Sequence, residues 1–108
     1  MAKYLLVESR DPFEWKDSAT YHALAADLAK AGNQVTLFLV QNGVLTARPS
    51  TQAASLTAAM QSGVEVLADE FSLKERGIPS DRLVVGVKPS PLDVVVDQLA
   101  EGRKALFH

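Results

Sequence analysis

Asp69 and Glu70 are the side chains of this sequence best placed to do chemistry. They follow the apolar run Val64–Ala68 directly and open a short segment that Gly77 and Pro79 stop. In α/β proteins the ligand crevice lies beyond the carboxyl ends of the strands, where the backbone turns into a helix. Other polar groups stand at the ends of other apolar runs: Glu8, Ser9 and Arg10 after the first, Gln41 and Asn42 after the second, Lys88 and Ser90 after the fourth. The leading ligand-binding candidates are Asn42, Asp69 and Glu70, with Glu8 and Arg10 behind them. A carboxylate enzyme built on this edge would use Asp69 or Glu70 as general base and Arg10 or Lys88 to hold an anionic substrate. Strands must end in something polar, however, so the same list also describes ordinary turn chemistry. Asp69 in particular suits a helix N-cap, its carboxylate accepting from backbone amides one turn on. A capping carboxylate would fill the positive end of its own helix, which argues against phosphate or sulfate at this turn.

Much other chemistry is excluded by what the sequence lacks. It has no cysteine, hence no disulfide, no thiol nucleophile, no cysteine-held zinc and no iron–sulfur cluster. The two histidines, His22 and His108, lie far apart in sequence, which gives no basis for a histidine-rich metal site, and no cofactor is expected. There is no GxGxxG, no GxxxxGK[ST] and no GxSxG elbow. His22 reads as a packing or surface residue, and His108 as an end residue whose side chain could at most reach a neighbouring subunit. Trp15, beside Phe13, suits core packing or a subunit contact.

The elements that must position these residues can be read in order. A chain of 108 residues at 47% hydrophobic and 22% charged residues suits one folded domain, residues 1–108, rather than a disordered segment. The net charge of −2, with basic residues scattered, carries no footprint for nucleic acid or for a membrane surface. No apolar run reaches the roughly 18 residues that span a bilayer, and the expected compartment is the cytoplasm. Strands are predicted at Lys3–Val7, Gln34–Val40, Val64–Ala68, Leu83–Val87 and Lys104–Phe107. Between them the pattern predicts a helix from Asp11 to Ala31, with Tyr21, Leu24, Ala25 and Leu28 on one face. A second helix is capped by Ser50 or Thr51 and runs to about Ser62; a short third spans about Glu70–Arg76. A fourth starts at Ser90-Pro91-Leu92-Asp93 and has Leu92, Val95, Val96 and Leu99 as its apolar face. Val44–Pro49 reads as loop, in which Val44–Ala47 could add a helical turn. This alternation of strands and helices predicts a three-layer α/β/α domain with a mainly parallel, five-stranded sheet.

With these pieces in order, the chain resembles the DsrE/DsrF-like family, which includes the TusD-like and TusC-like sulfur-relay subunits. The resemblance covers almost the whole chain. It is carried by KYLLV, by AKAGNQVTLFLVQNGV, by SGVEVLADEFSLKERGI and by GRKALFH. It implies the three-layer fold and association into dimers, trimers or hexamers, either as a homo-oligomer or as a hetero-oligomer with cysteine-bearing DsrE-like subunits. Active members of the family carry sulfur as a persulfide on a cysteine after the third strand, at the position aligned with Asp69. A carboxylate cannot bear sulfane sulfur in this way. The resemblance therefore implies a non-catalytic relative of sulfur-metabolism type, a structural partner subunit or a small-ligand binder.

Overall fold

The computed structural model describes residues 1–50 and 53–108. Five strands form one sheet: β1 (Lys3–Glu8), β2 (Gln34–Leu39), β3 (Glu65–Asp69), β4 (Lys88–Ser90) and β5 (Lys104–Phe107). Their order across the sheet is β4-β3-β2-β1-β5, and all four pairings are parallel. The connecting helices are α1 (Ser18–Lys30), α2 (Ala54–Gln61), α3 (Glu70–Glu75) and α4 (Asp93–Ala100). A seven-residue 3₁₀ segment, Gln41–Ala47, joins β2 to α2.

Handedness sorts the helices into layers. The chain steps from β1 outward to β4 in one direction, so right-handed crossovers place α1, α2 and α3 on one face. The step from β4 back to β5 runs the other way and places α4 on the opposite face. The first face holds the larger core, in which Leu6, Leu37, Leu39, Val66 and Ala68 of the sheet meet Ala25, Leu56, Ala59 and Leu73. The second is thin: Leu5, Val7, Phe38 and Leu67 meet Val95, with Val94 at its side. Among the described residues no helix is long and apolar enough to cross a membrane.

Several boundaries differ from the sequence expectation, each for a local reason. Helix α1 starts at Ser18, not near Asp11. The Asp11 carboxylate accepts from the Phe13 N–H at 2.8 Å, two residues on rather than three, which makes a turn and not a cap. Leu83–Val87 is loop, and the strand follows it at Lys88. Gly86 takes a φ of +100°, and Val84 N–H is drawn to the Ala47 carbonyl at 2.8 Å, outside the sheet. Ser90 closes β4 instead of capping α4, its hydroxyl donating to Pro91 O at 3.2 Å. Of the predicted apolar face of α4 only Val95 is buried, while Leu92, Val96 and Leu99 are exposed. Helix α2 begins at Ala54, later than either proposed cap, and Thr51 lies outside the described residues.

One residue fixes how the second strand leaves the sheet. The 3₁₀ segment lies directly on the end of β1, and a Cβ built on Gly43 would overlap the Glu8 carbonyl oxygen, against backbone that cannot rotate away. Gly43→Ala is expected to destabilise the domain by about 1–3 kcal/mol through this overlap. Urea or thermal unfolding checks it; an unchanged midpoint would mean that the segment rides freely over β1.

Candidate functional site

The carboxyl ends of the strands hold two separate polar networks. The first ties β2 to α3. Asp69 is both the last residue of β3 and the N-cap of α3. Its Oδ2 accepts from Ser72 N–H at 3.0 Å and from Ser72 Oγ–H at 2.7 Å. The same Ser72 hydroxyl accepts from Gln41 N–H at 2.8 Å, where Gln41 holds a φ of +53°. Asn42 Oδ1 accepts from Arg76 Nε at 3.0 Å, and an Arg76 NH1 hydrogen goes to the Ser72 carbonyl at 3.2 Å. Asn42 and Asp69 are thus brought into one network, with Ser72 and Arg76 as the residues that join them. Glu70 is exposed and lines a separate hollow of about 230 Å³ with Lys74, Ile78 and Pro89. Lys88 is exposed at the start of β4, away from the strand ends.

The second network surrounds the end of β1. Glu8 is fully buried, an unusual place for a carboxylate, and both of its oxygens are used. Oε1 accepts from Arg10 N–H at 2.9 Å, and Oε2 lies 2.8 Å from His108 Nδ1. The second nitrogen of that ring, Nε2, lies 2.9 Å from Asp17 Oδ2. An imidazole can donate from both nitrogens only as the cation, so two carboxylates bracket an imidazolium. The ring also stacks on Tyr21, centroids 4.7 Å apart, while the Tyr21 hydroxyl donates to Leu106 O at 2.7 Å and has Val7 O at 3.3 Å. Arg10 turns outward, its guanidinium 4.2 Å from the centre of the Trp15 ring. Glu8 and Arg10 therefore share a place with each other and not with Asn42 or Asp69.

The charges of this second network follow from its geometry. Burial pushes the Glu8 carboxyl above its ordinary value, against the lowering pull of the His108 and Arg10 hydrogen bonds. Burial acts to lower His108, but its hydrogen bonds and charge attraction to Asp17 and Glu8 outweigh that and raise it. The hydrogen bond from His108 holds the Asp17 carboxyl below the usual range. Sequence reasoning missed His108, Asp17 and Tyr21. The signal lay in the sheet: Val7 pairs with Phe107, so one further step sets His108 beside Glu8.

A raised histidine stabilises the fold most where it is charged in both states. Its contribution is full below the unfolded pKa of roughly 6.5 and fades as pH rises through the higher folded value. Raised Glu8 has the same sign, its contribution being full below its unfolded pKa and lost as pH climbs past the folded one. His108→Ala is expected to cost about 1–3 kcal/mol at mildly acid pH, by removing two charge-assisted hydrogen bonds. The difference from the parent should shrink as pH is raised through and beyond neutrality. Parallel urea titrations across that range test it, and a difference that grows with pH would contradict the assignment of an imidazolium.

Comparison with known proteins places the whole domain. Among solved structures, the ychN protein from E. coli superposes with a TM-score of 0.87 at 22% identity, covering 100% of both chains. MTH1491, a protein of unknown function from Methanobacterium thermoautotrophicum, gives 0.84 at 17% identity, again covering 100% of both. BT1422 from Bacteroides thetaiotaomicron, a conserved protein of unknown function, gives 0.80 at 17% over 98% of this chain and 94% of its own. At such identities these likenesses speak for the fold alone. No protein of curated function matches significantly. The model of the DsrE/DsrF-like family matches residues 2–107, nearly the full sequence, and the chain belongs to that family.

Proposed function

We propose that this protein is a non-catalytic DsrE-like subunit of sulfur-metabolism type, acting by assembly with further copies of itself or with cysteine-bearing relatives. The observation that carries the reading is the apolar side formed by α4 and β5. Leu92, Val96 and Leu99 of the α4 region are 52%, 63% and 44% exposed, and Phe107 of β5, which pairs with Val7 on the α4 face of the sheet, is 68% exposed. β5 is also an edge strand with one unpaired row of backbone groups. An open strand edge offers unpaired backbone groups to another chain, and exposed apolar side chains grouped beside it mark interaction surfaces. Val96 alone, fully covered, would contribute about 1.5–3 kcal/mol.

The absence of a thiol supports the non-catalytic part, since Asp69 stands where the family resemblance puts the sulfur-bearing cysteine. A ligand at the Asn42–Asp69 edge has less support, because those side chains already satisfy one another through Ser72 and Arg76. The carboxylate-enzyme alternative meets a related difficulty: Asp69 Oδ2 is already committed to two Ser72 donors as the cap of α3.

Native mass spectrometry and light scattering of the protein, isolated gently from its own source, test the proposal. A defined oligomer is expected, homomeric or containing a second small subunit with cysteine. Val96→Asp combined with Phe107→Asp should shift the assembly toward monomer by about a hundredfold or more in dissociation constant, with an unchanged far-UV spectrum. A parent protein that stays monomeric at high concentration, with no partner from its source, would sink the idea.

A further inference from the structure

A hollow of about 300 Å³ opens between the turn before α1 and the start of α2, apart from both networks of the strand ends and from the α4–β5 side. It is lined by Pro12, Phe13, Lys16, Ala19, His22 and Ser55. That volume falls at the lower end of the range for small-molecule sites, as does the mix of apolar walls with a few polar groups. His22 is 1% exposed, and its Nδ1 lies 2.7 Å from Ser55 Oγ. Its Nε2 is buried with no partner among the described residues.

The tautomer of this histidine decides what the hollow presents. Burial, assisted by the charge of His108, lowers the His22 pKa to about 4, so the ring is neutral at physiological pH. One nitrogen then carries the proton and the other is bare. If Nε2 held the proton, a buried N–H would be left without an acceptor, which native interiors tolerate less than an unpaired acceptor. The proton therefore sits on Nδ1 and is donated to Ser55 Oγ. The Ser55 hydroxyl proton is in turn left over, and no other hydrogen bond among the described residues uses it. A hydroxyl with a committed lone pair and an uncommitted proton is a donor waiting for an acceptor. Lys16, on the same wall, forms no ion pair among the described residues. The Arg48 guanidinium lies 5.8 Å from the centre of the Phe13 ring and adds positive charge to that rim. Asp17, the acid next to Lys16, is occupied by His108.

We propose that this hollow is a binding site for a small organic carboxylate, its anionic end meeting the Ser55 hydroxyl and the Lys16 ammonium and its apolar part resting on Phe13 and Pro12. The acid end is specified by one neutral and one charged donor, and no carboxylate side chain lines the hollow. The apolar body is specified by the Phe13 ring, 54% exposed at the mouth of the hollow, and by the Pro12 ring beside it. This site is independent of assembly through α4 and β5, and either can fail without the other.

Sodium benzoate is the probe, titrated into the isotope-labelled full chain at neutral pH and followed by NMR. Saturable shifts are expected at Ala19, Ser55 and the His22 ring, with a dissociation constant on the order of a millimolar or below. Lys16→Ala, an exposed change that leaves the core intact, and Ser55→Ala should each weaken binding by about tenfold. Benzyl alcohol, which lacks the charge, should bind at least about tenfold more weakly than benzoate. Ring nitrogen shifts of free His22 should report the Nδ1–H tautomer. The absence of saturable shifts, equal binding of benzyl alcohol, equal binding of inorganic phosphate, or an Nε2–H tautomer would each overturn the assignment.

Discussion

The carboxylate of Glu8, buried at the end of β1, is the constraint from which the arrangement of the strand ends follows. A buried ionised group survives only when it is paired and hydrogen-bonded. Here that requirement recruits three elements. Arg10 N–H must fold back onto Oε1, which sends the chain out of the sheet directly after the strand. His108 must reach Oε2, which holds the residue after β5 against β1; its backbone N–H donates to Val7 O at 2.9 Å and its carbonyl accepts from Ser9 N–H at 3.1 Å. Asp17 must meet the other nitrogen of the imidazolium, which anchors the residue before α1. The backbone of Glu8 adds a fourth tie: its carbonyl accepts from Val40 N–H at 3.0 Å and leaves room for nothing larger than Gly43 above it.

That arrangement separates structure from chemistry at this edge. Glu8, His108 and Asp17 each have a partner that a reaction would have to displace. The imidazolium is neutralised from both sides, and Glu8 lies out of reach of solvent. On β3, two strands away, Asp69 Oδ2 likewise accepts twice from Ser72. A carboxylate at a helix N-terminus lowers the energy of that helix by occupying the site an anion or a thiolate would otherwise use. The fold of the family is kept, and at the end of β3 the carboxylate of Asp69 serves to start a helix.

The fold was legible because the alternation of apolar runs and helical patterns admits few arrangements once crossovers are right-handed and short. The site was less so, for two physical reasons. Residue type and strand-end position bring Glu8, Asn42 and Asp69 to one edge, but which of them touch depends on strand order, and Glu8–His108 spans 100 residues of sequence. Local turn chemistry was the second reason. Asp11-Pro12 and Ser90-Pro91 carry the composition of helix starts, yet each side chain found a nearer backbone partner, at Phe13 N–H and Pro91 O. Composition states that a hydroxyl or carboxylate will bond to local backbone; it does not choose which group.

The misreading of α4 has a different character, and it bears on what the protein does. Periodicity predicted Leu92, Val95, Val96 and Leu99 as a face to be buried, and the sheet accepts only Val95 from it. An apolar stripe records that a surface is to be removed from water, and carries no information on whether the covering surface belongs to the same chain. In a domain whose other face is closed by three helices, one eight-residue helix cannot cover the second face of a five-stranded sheet. The residues left over are arranged on one side, continuous with an open strand edge, and not scattered as exposed apolar residues are on ordinary monomers. The pattern of α4 is thus consistent with its sequence throughout if the partner of its outer face is a second chain.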